Sequence, residues 1–244
     1  MRALATLLAL CTATGIAWAG SPLAGEMQAF ATRYHENPQK LDELKVELEK
    51  AARADPDIDT LLALAWACFL YGDVRATTAG DKLAAYDRGR QAAKQAISLA
   101  PNSGRAHFWY GANTGRWGQT KGVLRALFLL PTVKEAMETA LALDPGYAPA
   151  YSLAGSLYYE VPGVVGGDLD RSETMFRKGL EIDPHHTTMR VGLARTLLRK
   201  GRAAEARREL ETVLAETSPS NLADWTLKDA PQAKALLAGM KERS

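Results

Sequence analysis

A proline recurs along this 244-residue chain at intervals long enough to hold two helices each. It stands in the dipeptides Asp55-Pro56, Ala100-Pro101, Asp144-Pro145 and Asp183-Pro184, which are 45, 44 and 39 residues apart. Between these dipeptides Ala and Leu recur at three- and four-residue spacing, which indicates amphipathic helices. Because proline cannot continue a helix, each one is expected to lie in a turn between helix pairs. One pair alone cannot bury its apolar face, so the period predicts a stacked array of pairs.

The interval that begins at Ala148 carries the clearest repeat motif. The positions that a tetratricopeptide repeat gives to Trp, Leu, Gly and Tyr are held here by Tyr151, Ala154, Gly155 and Tyr158. Phe176 and Gly179 hold the contact positions of the second helix. The standard period is about 34 residues, so the three intervals contain about 11, 10 and 5 additional residues. The predicted fold is therefore all-α, a tetratricopeptide-like helical repeat solenoid with lengthened inter-helix insertions.

The predicted repeat domain covers residues 20–244. Its repeat-like units lie at about 26–56, 59–101, 104–145, 148–184 and 187–219, followed by a C-terminal cap at 220–244. A cap is expected because the last repeat otherwise exposes its stacking face. Gly201 marks the turn in the last of these units.

The first residues predict export of the protein. An apolar stretch from Ala3 to Ala13 precedes Ala17-Trp18-Ala19, which matches the A-x-A cleavage pattern of a secretory signal peptide. Residues 1–19 are therefore interpreted as a signal peptide, and the mature protein is expected in the periplasm or outside the cell. A lipid anchor at Cys11 is disfavoured because Leu10, which is not a small residue, precedes it. Cleavage leaves Cys68 as the one cysteine, which is expected to be buried.

An apolar segment runs from Val123 to Leu130, is interrupted only by Arg125, and is predicted to end at Pro131. It is too short for a membrane span, which takes about 18 apolar residues or more. Packing against the neighbouring repeat, contact with a partner and contact with a second copy of the chain stay open. A homo-oligomer is thus one of the alternatives.

Composition and motifs exclude several functions. The chain has 30 Lys and Arg against 28 Asp and Glu, a balance that gives no basic footprint for nucleic acid. The glycine-rich loop from Pro162 to Asp168 lacks the Lys-Ser/Thr pair of a phosphate-binding loop. His185-His186 has no further Cys or His nearby in the sequence, so a polar turn is favoured over a metal site. With no catalytic motif, we expect no catalytic residues, no metal, no cofactor and no enzyme activity.

Three segments resemble a particular branch of the repeat superfamily. They are Ala106–Asn113 (AHFWYGAN), Lys121–Phe128 (KGVLRALF) and Tyr158–Asp168 (YYEVPGVVGGD). Over roughly residues 60–215 the chain resembles the T-component (TatT) family of periplasmic proteins associated with TRAP transporters. It is similar, more distantly, to the regulator of microtubule dynamics family. The first resemblance implies an accessory protein that acts beside a solute-binding protein and a permease. A general repeat scaffold for an envelope or secretion complex is the alternative.

A binding groove is predicted on the concave side of the array, because first-helix residues off the packing face line that side. The candidate residues are Phe108, Asn113, Arg116, Tyr159 and Glu160. Aromatic side chains together with one Arg and one Asn suit a partner's peptide segment or an amphipathic small ligand. The alternative is that these residues only stabilise an enlarged core between the helices.

Overall fold

The computed structural model describes residues 21–241, and in this part of the chain every regular element is helical. The predicted signal peptide at residues 1–19 lies outside the described residues. The helices are α1 (Pro22–Ala31), α2 (Lys40–Ala54), α3 (Ile58–Val74), α4 (Ala79–Leu99), α5 (Gly104–Lys121), α6 (Val123–Leu143), α7 (Ala148–Glu160), α8 (Leu169–Ile182), α9 (Thr187–Arg199), α10 (Ala203–Ala215), α11 (Leu222–Asp224) and α12 (Ala230–Lys241). A 3₁₀ turn at Gly163–Val165 precedes α8, and a π-helical turn at Trp225–Asp229 links α11 to α12.

The helices form consecutive hairpins that stack on one another. α3 packs on α4, α5 on α6, α7 on α8 and α9 on α10, and these contacts are the most extensive within each unit. The first helices of neighbouring pairs also touch, α1 with α3, α3 with α5, and α7 with α9. Each second helix then contacts the first helix of the following pair. The predicted all-α repeat solenoid is confirmed.

The turns explain the recurring prolines. Each proline falls between the second helix of one pair and the first helix of the next. The helix that follows often begins at a side-chain cap: Asp57 accepts a hydrogen bond from the Thr60 amide at 2.9 Å, and Ser103 accepts one from Ala106 at 3.3 Å. A cap of this kind satisfies one of the amides that the first helical turn leaves unpaired. Gly201 turns the chain between α9 and α10 with φ of +76°, as predicted.

The extra residues of the middle units extend the helices themselves. α4 and α6 are 21 residues long, and only Gly122, with φ of +109°, separates α5 from α6. The prediction that Pro131 ends its helix is wrong, because α6 continues through Pro131 to Leu143. A proline inside a helix leaves one carbonyl without its hydrogen bond. Here the carbonyl concerned is that of Leu127, four residues before Pro131. Both residues lie on the exposed side of α6, where water can donate a hydrogen bond to this carbonyl instead.

The hydrophobic core has two main parts, each built from many small side chains and a few large ones. The first part joins α1 to α5 and reaches Ala150 of α7 and Ala223 of α11. The second surrounds Phe176 and Met189 and holds α8 to α10 with α12. Cys68 is a free cysteine in the first part, as expected, and burial raises the pKa of its thiol to about 12.

The two ends of the array meet. The Ala223 amide donates a hydrogen bond to the Thr32 carbonyl at 2.9 Å, and Tyr34 Oη donates one to Asp224 Oδ1 at 2.9 Å. Asn221 Nδ2 reaches the Ala31 carbonyl at 3.3 Å. The C-terminal helices therefore pack on α10 and also contact the first hairpin, so the solenoid closes on itself.

Candidate binding surface

Phe108, the first of the five predicted groove residues, is buried. Its ring meets the rings of Trp109 and Tyr147 edge to face, with centroids 4.8 and 5.1 Å away. Tyr147 stands at the start of α7, so Phe108 packs the third pair against the fourth. Such aromatic pairs stabilise a fold beyond the area they bury. The contacts of Phe108 match the core-stabilising alternative.

Asn113 is also buried, between three helices. Its Nδ2 donates hydrogen bonds to the Ala65 carbonyl of α3 at 3.2 Å and to the Trp109 carbonyl at 2.9 Å. Gly89 of α4 faces the same carboxamide so closely that an added Cβ would overlap it. Asn113 therefore links α3, α4 and α5, and this polar contact belongs to the packing of the helices.

Arg116 lies at the surface, paired with an acid of α3. Its Nη2 is 2.7 Å from Asp73 Oδ2, and the other oxygen of Asp73 accepts a hydrogen bond from Tyr86 Oη at 2.6 Å. Burial raises the pKa of Tyr86, and the hydrogen bond to Asp73 raises it further. The guanidinium also lies 5.6 Å from the centre of the Phe69 ring. Arg116 thus connects α5 to α3 and α4.

Tyr159 and Glu160 form a separate cluster with two arginines of α9. The guanidinium carbons of Arg195 and Arg199 lie 4.5 and 4.3 Å from the centre of the Tyr159 ring. Arg195 Nη2 pairs with Glu160 Oε1 at 3.1 Å, and Arg199 Nη1 donates a hydrogen bond to the Tyr159 carbonyl at 2.6 Å. We call Tyr159, Glu160, Arg195 and Arg199 the Tyr159 cluster.

The five predicted residues therefore occupy different environments. Phe108 and Asn113 are buried in helix contacts, Arg116 pairs with Asp73, and Tyr159 and Glu160 lie at the surface of α7. The sequence reasoning did not single out Arg195 and Arg199. A signal was present, because the two arginines are four residues apart and share one face of α9.

The Tyr159 cluster can bind a negatively charged group. Arg199 is exposed, and the Tyr159 ring and carbonyl hold its guanidinium in place. A guanidinium fixed in this way presents donors in a planar fork that matches a carboxylate. The ring edge and the exposed Ser156, one turn earlier on α7, add apolar and polar contacts.

An ion network beneath this surface holds α8, α9 and α10 together. Glu173 lies 2.6 Å from Lys200 Nζ, 2.7 Å from Arg202 Nη1 and 2.9 Å from Arg177 Nη2. Burial alone raises the pKa of Glu173, but hydrogen bonds from the three cations outweigh it and lower the pKa to about 2. The carboxylate therefore stays charged at neutral pH and joins α8 to the turn between α9 and α10.

Metal binding and membrane crossing find no support among residues 21–241. No group of three or more His, Cys, Asp and Glu in that range could hold a metal ion. Over the same range, no helix has the length and apolar character needed to cross a membrane. His185 and His186 lie in the turn between α8 and α9, where His185 Nδ1 contacts Glu216 Oε2 at 3.1 Å.

A solved structure shows the same fold. The chain is similar to a thermophilic tetratricopeptide repeat protein of Thermus thermophilus, with a TM-score of 0.63 at 18% identity. That match covers 86% of this chain and 98% of the other. The chain is also similar to MamA of Desulfovibrio magneticus, with a TM-score of 0.49 at 19% identity, over 80% of this chain and 95% of that one. No curated protein sequence matches this chain.

Family models match both halves of the sequence. Residues 166–239 match a tetratricopeptide repeat family, so the chain is a tetratricopeptide-type repeat scaffold. Residues 25–164, more than half of the chain, match the family described as Regulator of microtubule dynamics protein 1-3. This is the family to which the sequence analysis gave the more distant resemblance, and the T-component assignment stays a prediction. The chain belongs to the regulator of microtubule dynamics protein 1-3 family.

Proposed function

We propose that this protein is a non-enzymatic adaptor that binds a partner protein through the Tyr159 cluster. The observation that carries the proposal is the pair of guanidiniums that Arg195 and Arg199 hold against the Tyr159 ring. Tetratricopeptide repeats mediate binding between proteins, which agrees with this function. Phe108 and Asn113 are already engaged in packing, whereas the Tyr159 cluster reaches the surface of α7 and α9.

The ligand that fits is a carboxylate on an extended or partly apolar segment. Arg199 takes no ion pair among residues 21–241, whereas Arg195 pairs with the exposed Glu160. An incoming carboxylate can bind Arg199 directly and compete with Glu160 for Arg195. Because the Tyr159 ring already orders both side chains, little further conformational entropy is lost on binding.

We further propose that the adaptor acts in the periplasm as an accessory subunit of a TRAP-type solute uptake system. The A-x-A pattern at Ala17–Ala19 supports export, and the glycine-rich loop after Tyr158 supports the T-component resemblance. The partner expected on this basis is a solute-binding protein. N-terminal sequencing of the expressed protein tests the export, with Gly20 expected as the first residue. A chain that keeps Met1 in the cytoplasm contradicts it.

Capture from periplasmic extract tests the adaptor function. The wild-type protein, Tyr159→Ala and Arg199→Ala serve as baits, with Arg53→Ala on the exposed face of α2 as the matched control. Loss of a charge-assisted hydrogen bond costs about 1.5–3 kcal/mol, so we expect partner retention to fall by roughly tenfold or more. Melting temperatures should stay near the wild-type value. Equal retention by all four baits contradicts the assignment to the Tyr159 cluster.

A further inference from the structure

The hairpin between α5 and α6 ends in an apolar tip that nothing in the described chain covers. Val123, Leu124 and Phe128 are 75%, 85% and 73% exposed, and Leu127 is 36% exposed. We call these four residues the α6 tip. Single exposed apolar side chains are common on protein surfaces, whereas a contiguous group of four large ones marks a contact site.

The charged residues that the α5–α6 hairpin itself carries near the α6 tip are all basic. The sequence from Gly104 to Lys134 contains no Asp or Glu. Lys121 Nζ and the Arg125 guanidinium lie 5.5 and 5.9 Å from the centre of a Trp117 ring, and Arg125 also lies 5.5 Å from the Phe128 ring. Arg90 of α4, which also pairs with Asp87 at 3.2 Å, approaches the Trp117 ring at 4.9 Å. Aromatic rings thus hold three cations around an apolar end.

The hairpin that carries the α6 tip is closely packed. Gly122 reverses the chain in a single residue. Just before it, Gly118 lets α5 approach α6 so closely that an added Cβ would lie 3.3 Å from Ala126 Cα. The hairpin is therefore packed almost to its end, and the exposed side chains stand on a rigid support.

We propose that the α6 tip docks this protein on an anionic lipid surface. Apolar side chains at a projecting end, ringed by Lys and Arg and with a Trp at their base, match the layers of a membrane interface. The apolar groups enter the boundary of the acyl chains, while the cations meet lipid phosphates. An exposed hairpin end whose own charges are Lys121 and Arg125 complements an anionic surface better than a second copy of itself, which would bring these like charges together.

The turn before α8 carries another exposed apolar residue close to α6. Lys134 Nζ donates a hydrogen bond to the Gly166 carbonyl at 3.4 Å, which places this turn beside α6. Val164 in the turn is 96% exposed. Val164 therefore offers a further exposed apolar side chain beside α6.

Vesicle sedimentation tests the proposal. The full chain is mixed with vesicles of phosphatidylcholine alone or with added phosphatidylglycerol. We expect the wild-type protein to sediment with the anionic vesicles, and salt to weaken this binding. The double variant Leu124→Ser/Phe128→Ser should bind at least about tenfold more weakly. Lys121→Glu/Arg125→Glu should lose the preference for anionic vesicles. The matched control is Val46→Ser/Leu99→Ser, two exposed apolar side chains on α2 and α4.

Three outcomes would overturn the proposal. The first is a wild-type protein that stays in solution with anionic vesicles, and the second is a serine double variant that sediments as the control does. The third is a wild-type dimer in analytical ultracentrifugation that Leu124→Ser/Phe128→Ser converts to a monomer, which would assign the α6 tip to self-association. The α6 tip and the Tyr159 cluster share no residue, so failure here leaves the adaptor function standing.

Discussion

Phe176 connects two helices of the array through the glycines that face it. Its ring is buried between Gly155 of α7 and Gly192 of α9, and a Cβ on Gly155 would lie 2.7 Å from Phe176 Cδ1. The aromatic side chain therefore fills the space that two absent side chains leave. This contact gives the physical reason for the repeat motif at Gly155, because a larger residue would push α7 away from α8.

Substitution at Gly155 should destabilise the fold. We expect Gly155→Ala to lower the free energy of unfolding by about 1–3 kcal/mol, and Gly155→Leu to lower it further, because each overpacks against Phe176. Urea denaturation measures the change. Gly25→Ala in α1 is the control, since nothing lies within 4 Å of an added Cβ there. That control should be neutral or gain roughly 0.5–1 kcal/mol from helix propensity. A Gly155→Leu protein that melts like the wild type would refute the packing.

Charge reversal at Arg116 should lower the stability of the fold, whether or not Arg116 also binds a partner. Arg116→Glu would bring a carboxylate against Asp73, which already accepts a hydrogen bond from Tyr86. Because Arg116 is half-exposed, we expect a loss of at most about 1 kcal/mol in the free energy of unfolding. Arg116→Glu/Asp73→Lys should recover part of it. Thermal melting at low and high salt checks this, and identical melting of all variants would show that the pair contributes nothing.

Local sequence signals predicted most helices but misplaced one boundary. The proline dipeptides located the starts of α3 and α5, because proline cannot continue a helix and this effect is decided within a few residues. Pro131 failed as a stop signal because exposure of α6 lets water hydrogen-bond to the freed carbonyl, and exposure depends on the whole array. The residues that exceed the standard repeat length form additional helical turns, because Gly122 alone is enough to reverse the chain between α5 and α6.

The candidate site was predictable only in part. The positions of Phe108 and Asn113 within their repeat predicted that both side chains line the concave side of the array. In a closed array α5 is covered by α3, α4 and α6 and by Tyr147, so more than one of its faces is buried. Tyr159 and Glu160 do lie at the surface. Their contacts with Arg195 and Arg199 depend on how α7 crosses α9, which residue spacing alone does not specify.

The π-helical turn before α12 carries a buried acid that should make stability depend on pH. Asp229 Oδ2 accepts hydrogen bonds from Thr187 at 2.7 Å and Thr188 at 2.9 Å. Burial raises the pKa of Asp229 to about 6, although both hydrogen bonds oppose the rise. Between about pH 4 and pH 6 the unfolded chain has already released a proton that the folded chain keeps. The contribution of Asp229 to the free energy of unfolding should therefore fall as pH rises through this window.

Asp229→Asn tests this pH dependence. The Asn carbonyl oxygen can accept the same two hydrogen bonds without a charge. Between pH 4 and pH 7 we expect the titration of Asp229 to lower the free energy of unfolding of the wild type by about 1–3 kcal/mol. The variant should not show this decrease. Urea denaturation across the pH range measures both proteins. Parallel curves for wild type and variant would show that Asp229 titrates normally.

Closure of the array couples residues that are 190 positions apart in the sequence. Tyr34 Oη donates a hydrogen bond to Asp224 Oδ1, and Lys228 Nζ lies 2.9 Å from the same oxygen. Burial raises the pKa of Tyr34 to about 12, and Asp224 adds to the rise, so the phenol stays a donor at neutral pH. An open solenoid is stabilised by nearest neighbours alone. Here the first repeat also depends on the last, which makes unfolding more cooperative.

Hydrogen exchange can detect this coupling. Tyr34→Phe/Asn221→Ala removes the two side-chain hydrogen bonds between the ends and keeps the apolar ring of residue 34. We expect faster amide exchange in both α1 and α11, because each end loses a partner that holds it against local opening. Exchange in α5 and α6, which make no such contact, should stay unchanged. Arg33→Ala, beside Tyr34 and paired only with Glu36 among the described residues, is the control. If α1 exchanges at the wild-type rate in the double variant, the ends are not coupled and the first repeat is held by α2 and α3 alone.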